Sequence, residues 1–226
     1  MRPSASALFA LVVTVSLCAA GGARADAAGT PRFHPYGFFE VRKDLRRCVS
    51  PLCGGFWMRR LNAQMTRCAD GAMQRECYVA ELRDAPEALL EESGQYLVRG
   101  KLLAREYEGF GNLGEFAVSG AWHAATDALP GTRESRNVHY SGIESSGIVC
   151  ITTPCESLNE YVLNSPRQRL LTDIDLSRAK ALPELEQEAQ DLIGGDGVVL
   201  MRGITRALET NPGRVFEARQ FYLPVP

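Results

Sequence analysis

The stretch Cys48-Val-Ser-Pro-Leu-Cys53 returns 102 residues later as Cys150-Ile-Thr-Thr-Pro-Cys155. At the same spacing, Leu61-Asn62 is followed by Leu163-Asn164. Two further matches keep the order at offsets of 103 and 99, namely Tyr96 to Gly100 with Val199 to Gly203, and Gly114 to Val118 with Gly213 to Glu217. A single match arises readily by chance, but an ordered series at a nearly constant spacing indicates an internal repeat. The sequence therefore predicts two related halves.

Each half shows the same predicted order of elements, β-β-β-α-β-β. Alternating apolar residues indicate the strands. The helix is clearest in the second half, where apolar residues recur at helical spacing after Pro183. This order is typical of a small OB-type barrel, and an open α+β sheet is the alternative. Gly100 and Gly203 each fall inside a fourth strand, where glycine often marks a bulge or a bend.

The repeat also predicts the domain boundaries. Repeat domain 1 covers residues 37–125, and repeat domain 2 covers residues 138–226. The polar stretch between them, residues 126–137, contains Pro and Gly and is predicted to be a linker. The expected fold class is therefore β-rich α+β, with two tandem related domains, for which OB-like barrels are the preferred form, after a cleaved signal peptide.

The first 25 residues are predicted to be a signal peptide. An apolar run, ALFALVVTVSLCAA, leads to Ala23-Arg24-Ala25, which has the form of a cleavage site. Residues 26–36 would then form an N-terminal tail. Lipid anchoring through Cys18 is the alternative, but Leu17 stands where a lipoprotein signal needs a small residue. We expect an exported protein, either periplasmic or extracellular.

Composition narrows the class of protein further. The 226 residues are 45% hydrophobic and 23% charged, with a formal net charge of −2, which is typical of a soluble globular protein. Removing residues 1–25 takes away two arginines and no acidic residue, so the mature chain would carry −4. The absence of a basic excess argues against a nucleic-acid partner. No second apolar run of membrane length follows, so no transmembrane segment is expected in the mature chain.

Six cysteines follow the predicted cleavage site, and an even number in an exported chain favours disulfides. Their spacings and the distant histidines do not fit a zinc site, so no metal is expected. The second half lacks counterparts of both Cys68 and Cys77, as expected if those two are bonded to each other. The predicted pairs are Cys48–Cys53, Cys68–Cys77 and Cys150–Cys155.

Four segments resemble an uncharacterised domain family of secreted bacterial proteins, a domain of unknown function. They are Arg46-Arg47-Cys48-Val49-Ser50-Pro51-Leu52-Cys53-Gly54-Gly55, Thr66-Arg67-Cys68-Ala69-Asp70-Gly71, Cys77-Tyr78-Val79-Ala80 and Phe110-Gly111-Asn112-Leu113-Gly114. This resemblance covers most of the mature chain and implies no activity. A looser similarity is to netrin-like inhibitor modules of OB type. Those modules use a cysteine at the mature N-terminus, whereas this mature chain would begin at Asp26.

No motif of catalysis or cofactor binding stands out, so no catalytic residue and no cofactor are predicted. A nucleophile elbow, a zinc-protease helix and a phosphate-binding loop are all missing from the sequence. His123 could act as a general base, and Asp173 with Asp175 could bind calcium. We favour the simpler explanations, a surface histidine and an ordinary acidic strand.

Charge is uneven along the chain. Residues 40–67 carry a formal charge of +5, whereas the equivalent residues 144–167 carry −2. The basic stretch contains aromatic residues and is predicted to bind an anionic polymer or an acidic protein surface outside the cytoplasm. The predicted contact residues are Arg46, Arg47, Pro51, Leu52, Phe56, Trp57, Arg59, Arg60, Thr153 and Pro154.

The sequence thus favours a secreted, disulfide-stabilised binding or inhibitory module whose ligand is unknown. Two alternatives remain open. One is an envelope hydrolase with its site at the domain junction, and the other is a structural envelope component.

Overall fold

A computed structural model of the chain describes residues 37–91, 94–126, 137–195, 197–208 and 212–226. The described residues all belong to one compact unit. The predicted signal peptide, the N-terminal tail, Cys18 and most of the predicted linker lie outside them.

The described residues form sixteen strands and two helices, and the expected β-rich α+β class is confirmed. The elements of the first half are β1 (Gly37–Lys43), β2 (Phe56–Arg60), β3 (Thr66–Arg67), β4 (Met73–Gln74), β5 (Cys77–Val79), β6 (Glu81–Arg83), α1 (Glu87–Glu91), β7 (Tyr96–Leu103), β8 (Glu106–Tyr107), β9 (Gly111–Asn112) and β10 (Glu115–Ala124). Those of the second half are β11 (His139–Ser145), β12 (Leu158–Val162), β13 (Gln168–Leu171), β14 (Asp173–Asp175), α2 (Pro183–Gly194), β15 (Val199–Ala207) and β16 (Arg214–Pro224).

The main strands of the first half pair in a closed circuit that begins and ends at β1. β1 pairs with β2 and β7, β2 pairs with β5, and β10 pairs with β7. β5 runs almost directly into β6, which lies parallel to β10. The other pairs are antiparallel, and side chains that point inside this ring build the first hydrophobic core around Phe116, Met58 and Val98.

The second half has the equivalent pairing. β11 pairs with β12 and β15, β12 pairs with β13, and β15 pairs with β16. β14, which follows β13, lies parallel to β16. The second core surrounds Phe216 and Phe221, and Ala189 and Ile193 of α2 are buried against it.

The two halves are joined edge to edge. β10 and β16 are antiparallel partners, with Ala124 opposite Tyr222, so one twelve-stranded sheet runs through both halves. A third core fills the junction and includes Phe38 and Tyr140. The junction is therefore a packed interface rather than a loose connection between separate domains.

Gly100 and Gly203 lie where the neighbouring strand leaves no room for a Cβ atom. A Cβ atom at Gly100 would come within 2.1 Å of the carbonyl oxygen of Ala117, and one at Gly203 equally close to that of Glu217. The register of β10 on β7 shifts beside Gly100, and that of β16 on β15 shifts beside Gly203. The expected bulges are present, and only glycine fits at these two positions.

The halves depart from the predicted elements in a few places. The predicted third strand of each half is interrupted, at Ala80 and at Thr172. The backbone N–H of Ala80 donates to Gly114, the residue before β10, and that of Thr172 donates to Arg214 at the start of β16. Two short hairpins, β3–β4 and β8–β9, belong to the first half and have no counterpart among the described residues of the second half. The predicted match of Gly114 to Val118 with Gly213 to Glu217, at an offset of 99 residues, is displaced by one position. Phe116 packs against Gly100 and Phe216 packs against Gly203, so these two phenylalanines are the equivalent residues.

The structure contains the three disulfides expected from the repeat, Cys48–Cys53, Cys68–Cys77 and Cys150–Cys155. Each closes a local loop within one half. Such bonds indicate an oxidising, extracytoplasmic compartment. Neither described helix has the length and apolar character needed to cross a membrane.

Candidate anion-binding groove at the junction

Two turns from opposite halves meet at the junction, and an asparagine fixes each of them. Asn62 follows β2 and Asn164 follows β12, both with a left-handed backbone (φ 55° and 59°). The Asn62 amide donates to the carbonyl oxygens of Tyr140 and Leu163, at 2.7 and 2.8 Å. Its oxygen accepts the backbone N–H of Tyr140 at 2.8 Å. These bonds tie the turn of one half to the first strand of the other.

A groove with a volume of about 1270 Å³ opens beside these turns, and both halves line it. Five arginines lie along it, and none of its described lining residues is acidic. The five are Arg59, Arg60, Arg167, Arg169 and Arg202. This concentration of one charge in a concave site produces a positive potential that attracts anions.

Two of these arginines have no carboxylate partner among the described residues. Within the described parts of the chain, no acidic side chain forms an ion pair with Arg60 or Arg167. Burial lowers the pKa of Arg60, whose guanidinium lies 5.9 Å from the ring centroid of Phe39. Arg167 is exposed in the turn after Asn164. Their guanidinium donors are therefore available to a ligand.

The other arginines are held in place by neighbouring groups. Arg59 pairs with Glu40 on the adjacent strand. Arg202 is only 5% exposed and lies 5.7 Å from the ring centroid of Tyr140. Burial lowers the pKa of Arg202. Burial, followed by the charge of Glu40, raises the pKa of Tyr140 to about 12, so that the phenol stays neutral at physiological pH.

Glu160 lies buried behind one wall of the groove and binds the side chains that form this wall. It is fully buried, and its two oxygens accept hydrogen bonds from Ser141 and Thr205, each at 2.8 Å. Two nitrogen donors complete the cluster, since His139 Nε2 lies 2.8 Å and the Arg169 guanidinium Nε 2.9 Å from the same carboxylate. Burial by itself would raise the pKa of Glu160, but these hydrogen bonds and the Arg169 charge outweigh it and lower the pKa.

His139 lines the groove without a free ring nitrogen. Its Nδ1 lies 2.9 Å from the carbonyl oxygen of Asn137, and its Nε2 faces Glu160. Both neighbours are hydrogen-bond acceptors, so neither nitrogen is placed to take a proton from a ligand in the groove. The geometry gives His139 the role of a fixed donor rather than of a general base.

Beyond Arg59, the same sheet face carries a second cluster around Trp57. Arg46 stacks over the Trp57 ring at 4.9 Å and forms an ion pair with the buried Asp44 at 2.9 Å. The hydrogen bond from Arg46 lowers the pKa of Asp44 to about 2. Tyr78 packs edge-on to Trp57 and donates to the carbonyl oxygen of Pro51 at 2.7 Å. This cluster fixes the base of the Cys48–Cys53 loop.

Residues 37–226 match a family described as "Domain of unknown function (DUF6748)". The chain belongs to this family. The match begins with β1 and runs through both halves, so the family domain includes the junction groove. No curated protein and no solved structure matches the chain. The looser similarity to netrin-like modules is not confirmed.

The predicted contact residues lie in three separate places in the structure. Arg59 and Arg60 line the groove. Arg46, Pro51 and Trp57 gather around Tyr78. The remaining ones lie in or beside the two disulfide loops: Arg47, Leu52, Thr153 and Pro154 are exposed there, whereas Phe56 is buried in the first core at 8% exposure. We therefore leave Phe56 out of the proposed binding surface.

Other candidate residues of the sequence lie outside the groove. His123 is exposed on β10, with its ring 6.2 Å from that of Tyr96. The side-chain oxygens of Asp173 and Asp175 accept backbone N–H groups of their own segment. Within the described residues, no group of three or more metal-ligating side chains is present.

The second wall of the groove, made by Arg167, Arg169 and Arg202, was not predicted from the sequence. Glu160, which forms an ion pair with Arg169, was not predicted either. The only available signal was the repeated Leu-Asn pair, Leu61-Asn62 and Leu163-Asn164, which marks the two turns that meet at the junction.

Proposed function

We propose that the protein is an exported, disulfide-stabilised binding module that holds an anionic ligand in the junction groove. The observation that carries this proposal is the set of arginines that both halves contribute to one concave site, with no carboxylate among the described residues that line it. Arg60 and Arg167 supply guanidinium groups that form no ion pair with any described residue, and such groups bind carboxylate, sulfate or phosphate oxygens in a bidentate manner.

Export is part of the same proposal. Residues 1–25 would be removed after Ala25, and the mature protein would act in the periplasm or outside the cell. N-terminal sequencing of the secreted protein tests this point, since lipid anchoring through Cys18 would give a blocked N-terminus at that cysteine.

We also propose that the halves are related OB-type barrels, covering residues 37–125 and 138–226 with 126–137 between them. Support comes from the equal order of strand pairing, the equivalent glycines and the equivalent asparagines. Two such units placed edge to edge would create a groove that neither has alone. On this proposal the ligand site is a product of the duplication.

Equilibrium binding tests the proposed function. Polygalacturonate and polyphosphate serve as anionic probes and dextran as the neutral one, each titrated into the disulfide-bonded protein at low and high salt. The double variant Arg60→Ser/Arg167→Ser should bind the anionic probes at least about tenfold more weakly than wild type. A matched control, Arg75→Ser/Arg178→Ser, removes the same charge from exposed positions outside the groove and should bind like wild type.

The result that would overturn the proposal is equally clear. If neither anionic probe binds, or if both double variants weaken binding equally, the groove is not the binding site. A structural role without a ligand would then be the better explanation.

A further inference from the structure

Exposed apolar side chains are concentrated in the two equivalent disulfide loops. Twelve large hydrophobic side chains are exposed among the described residues, and half of them lie within or directly beside the Cys48–Cys53 and Cys150–Cys155 loops. These six are Leu45, Val49, Leu52, Ile148, Val149 and Ile151. Soluble proteins seldom gather exposed apolar groups in one place unless a partner or a membrane covers them. The loops are therefore candidate contact surfaces.

Both loops lie away from the junction groove. β1 has Phe38 in the junction core near one end, and the Cys48–Cys53 loop follows its other end. β11 is arranged in the same way, with Tyr140 in the junction core and the Cys150–Cys155 loop after its far end. A strand rises about 3.3 Å per residue, so each loop begins roughly 17 Å along the strand from the junction residue. The described residues that line the groove include none from either loop.

The first loop is held in one shape by its own bonds. Its disulfide closes it, and the Arg46 guanidinium, which pairs with Asp44, also donates to the carbonyl oxygen of Leu52 at 3.1 Å. These bonds leave the side chains of Leu45 and Val49 83% and 68% exposed. Because the loop is already ordered, little conformational entropy is lost when a partner buries those side chains.

Charge distinguishes the first loop from the second. Lys43 and Arg47 are exposed beside the apolar side chains of the first loop, and neither forms an ion pair with an acidic side chain of the described residues. Lys43 Nζ donates to the carbonyl oxygen of Leu90 at 2.9 Å, which leaves its charge uncompensated. The second loop contains no lysine or arginine, and the counterpart of Arg47 there is Val149. Only the first loop therefore combines exposed apolar groups with positive charge.

This combination matches the two layers of an anionic lipid surface. Aliphatic side chains on a convex loop enter the acyl boundary, while lysine and arginine beside them bind the headgroup anions. A protein pocket fits less well, because leucine and valine are under-represented among the residues that dominate protein interfaces. A single apolar signal gives only marginal membrane binding, and a basic group beside it supplies the second signal.

We propose that the protein docks reversibly on anionic lipid through the Cys48–Cys53 loop. Leu45 and Val49 enter the acyl boundary, and Lys43 and Arg47 bind the headgroup anions. The Cys150–Cys155 loop lacks the second signal and does not anchor the protein. This inference goes beyond the proposed function and does not depend on it, since the loop and the groove are separate surfaces.

Cosedimentation with vesicles tests the proposal on the disulfide-bonded protein. Vesicles of phosphatidylcholine and phosphatidylglycerol should bind it at least about tenfold more tightly than vesicles of phosphatidylcholine alone. On the mixed vesicles, Leu45→Ser/Val49→Ser should bind about tenfold and Arg47→Ser about fivefold more weakly than wild type. The matched control, Val149→Ser/Ile151→Ser, removes two equally exposed aliphatic side chains from the second loop and should bind like wild type.

Fluorescence quenching reports insertion without relying on a loss of binding. Val49→Trp places an indole in the first loop, and its emission should be quenched by mixed vesicles whose lipids carry brominated acyl chains. Val149→Trp places an indole in the second loop and should not be quenched. The emission of wild type is subtracted in both cases, because Trp57 and Trp122 are common to all three proteins.

Each contrary result has a distinct meaning. If Arg60→Ser/Arg167→Ser loses vesicle binding while the loop variants keep it, the headgroups bind in the groove and the loop proposal is wrong. If variants of the two loops weaken binding equally, positive charge does not select the first loop, and the proposal also fails. If neither kind of vesicle binds, lipid is excluded and a protein becomes the better partner for the loop. The proposed function would stand in the last two cases, because soluble anions test the groove separately.

Discussion

Asn62 and Asn164 exchange equivalent hydrogen bonds across the junction, 102 residues apart in the chain. Asn62 binds the backbone of Tyr140, and Asn164 binds the backbone of Phe38 with its oxygen at 2.9 Å and its amide at 2.7 Å. Each asparagine also donates to the turn residue of the other half, Leu163 or Leu61. These reciprocal hydrogen bonds, which we call the junction lock, hold the two turns together at the base of the groove.

Breaking this lock should destabilise the junction. We expect Asn62→Ala to lower the free energy of unfolding by about 2–4 kcal/mol, because it removes three hydrogen bonds and places alanine in a left-handed backbone. Urea denaturation measures the change. Asn62→Gly removes the same bonds but tolerates the backbone, so it should lose less stability. Wild-type stability in both variants would show that the lock contributes nothing.

The bulge glycines should be equally intolerant of substitution. Gly100→Ala and Gly203→Ala should each destabilise the fold by about 1–3 kcal/mol or more, because the new methyl group meets a backbone oxygen that cannot easily move. The control is Gly194→Ala at the end of α2, where a Cβ atom would meet nothing within 4 Å. That variant should be neutral or slightly more stable, since alanine favours helix. Thermal unfolding of the three variants decides the matter.

Much of the fold could be predicted from the sequence, because its signals come either from neighbouring residues or from the similarity of the two halves. The repeat placed Gly100 and Gly203 in equivalent strands, and the missing counterparts of Cys68 and Cys77 indicated their bond. Apolar spacing located α2. These features depend on neighbouring residues or on comparison of the two halves, and the printed chain contains both kinds of information.

The candidate site was harder to predict because it depends on contacts between distant segments. Arg202 lies in an apolar strand that gives no sign of a groove, and Glu160 reads as one more surface acid. Three arginines of the basic stretch 40–67 are paired in the folded protein, with Glu40, Asp44 and Glu76. The formal charge of +5 already subtracts Glu40 and Asp44, but Glu76 lies outside the stretch, so its pair with Arg42 could not be foreseen from that count.

Glu160 should contribute to stability and to ligand binding at once. Glu160→Gln keeps the shape of the side chain but leaves His139 and Arg169 facing a neutral group. We expect a loss of about 3–5 kcal/mol in the free energy of unfolding, as for a buried ion pair that loses one partner. Anionic probes should also bind more weakly, because Arg169 is no longer held against the groove wall.

The control for this prediction is a surface ion pair in the same half. Glu156 lies 3.8 Å from Arg214, and both side chains are largely exposed. Glu156→Gln should change stability by less than about 1 kcal/mol and leave probe binding intact. Equal effects of the two glutamine variants would contradict the role assigned to Glu160.

Acid should weaken the Asp44–Arg46 pair in a defined pH range. The pKa of Asp44 is about 2 in the folded protein, below its ordinary value of 3.8, chiefly because Arg46 donates hydrogen bonds to the carboxylate. A folded-state pKa below the unfolded value means that the ionised form stabilises the fold above pH 3.8. This stabilisation is then lost as the pH falls towards 2.

The matched variant is Asp44→Asn, which cannot ionise. Removing the charge should cost about 1.5–3 kcal/mol at neutral pH, as expected for a charged hydrogen bond. The difference in unfolding free energy between wild type and variant should shrink as the pH falls from about 4 to about 2, because wild-type Asp44 becomes neutral there. Other carboxylates, including Glu160, titrate in both proteins and cancel in the difference. A difference that stays constant over this range would show that Asp44 does not owe its contribution to its charge.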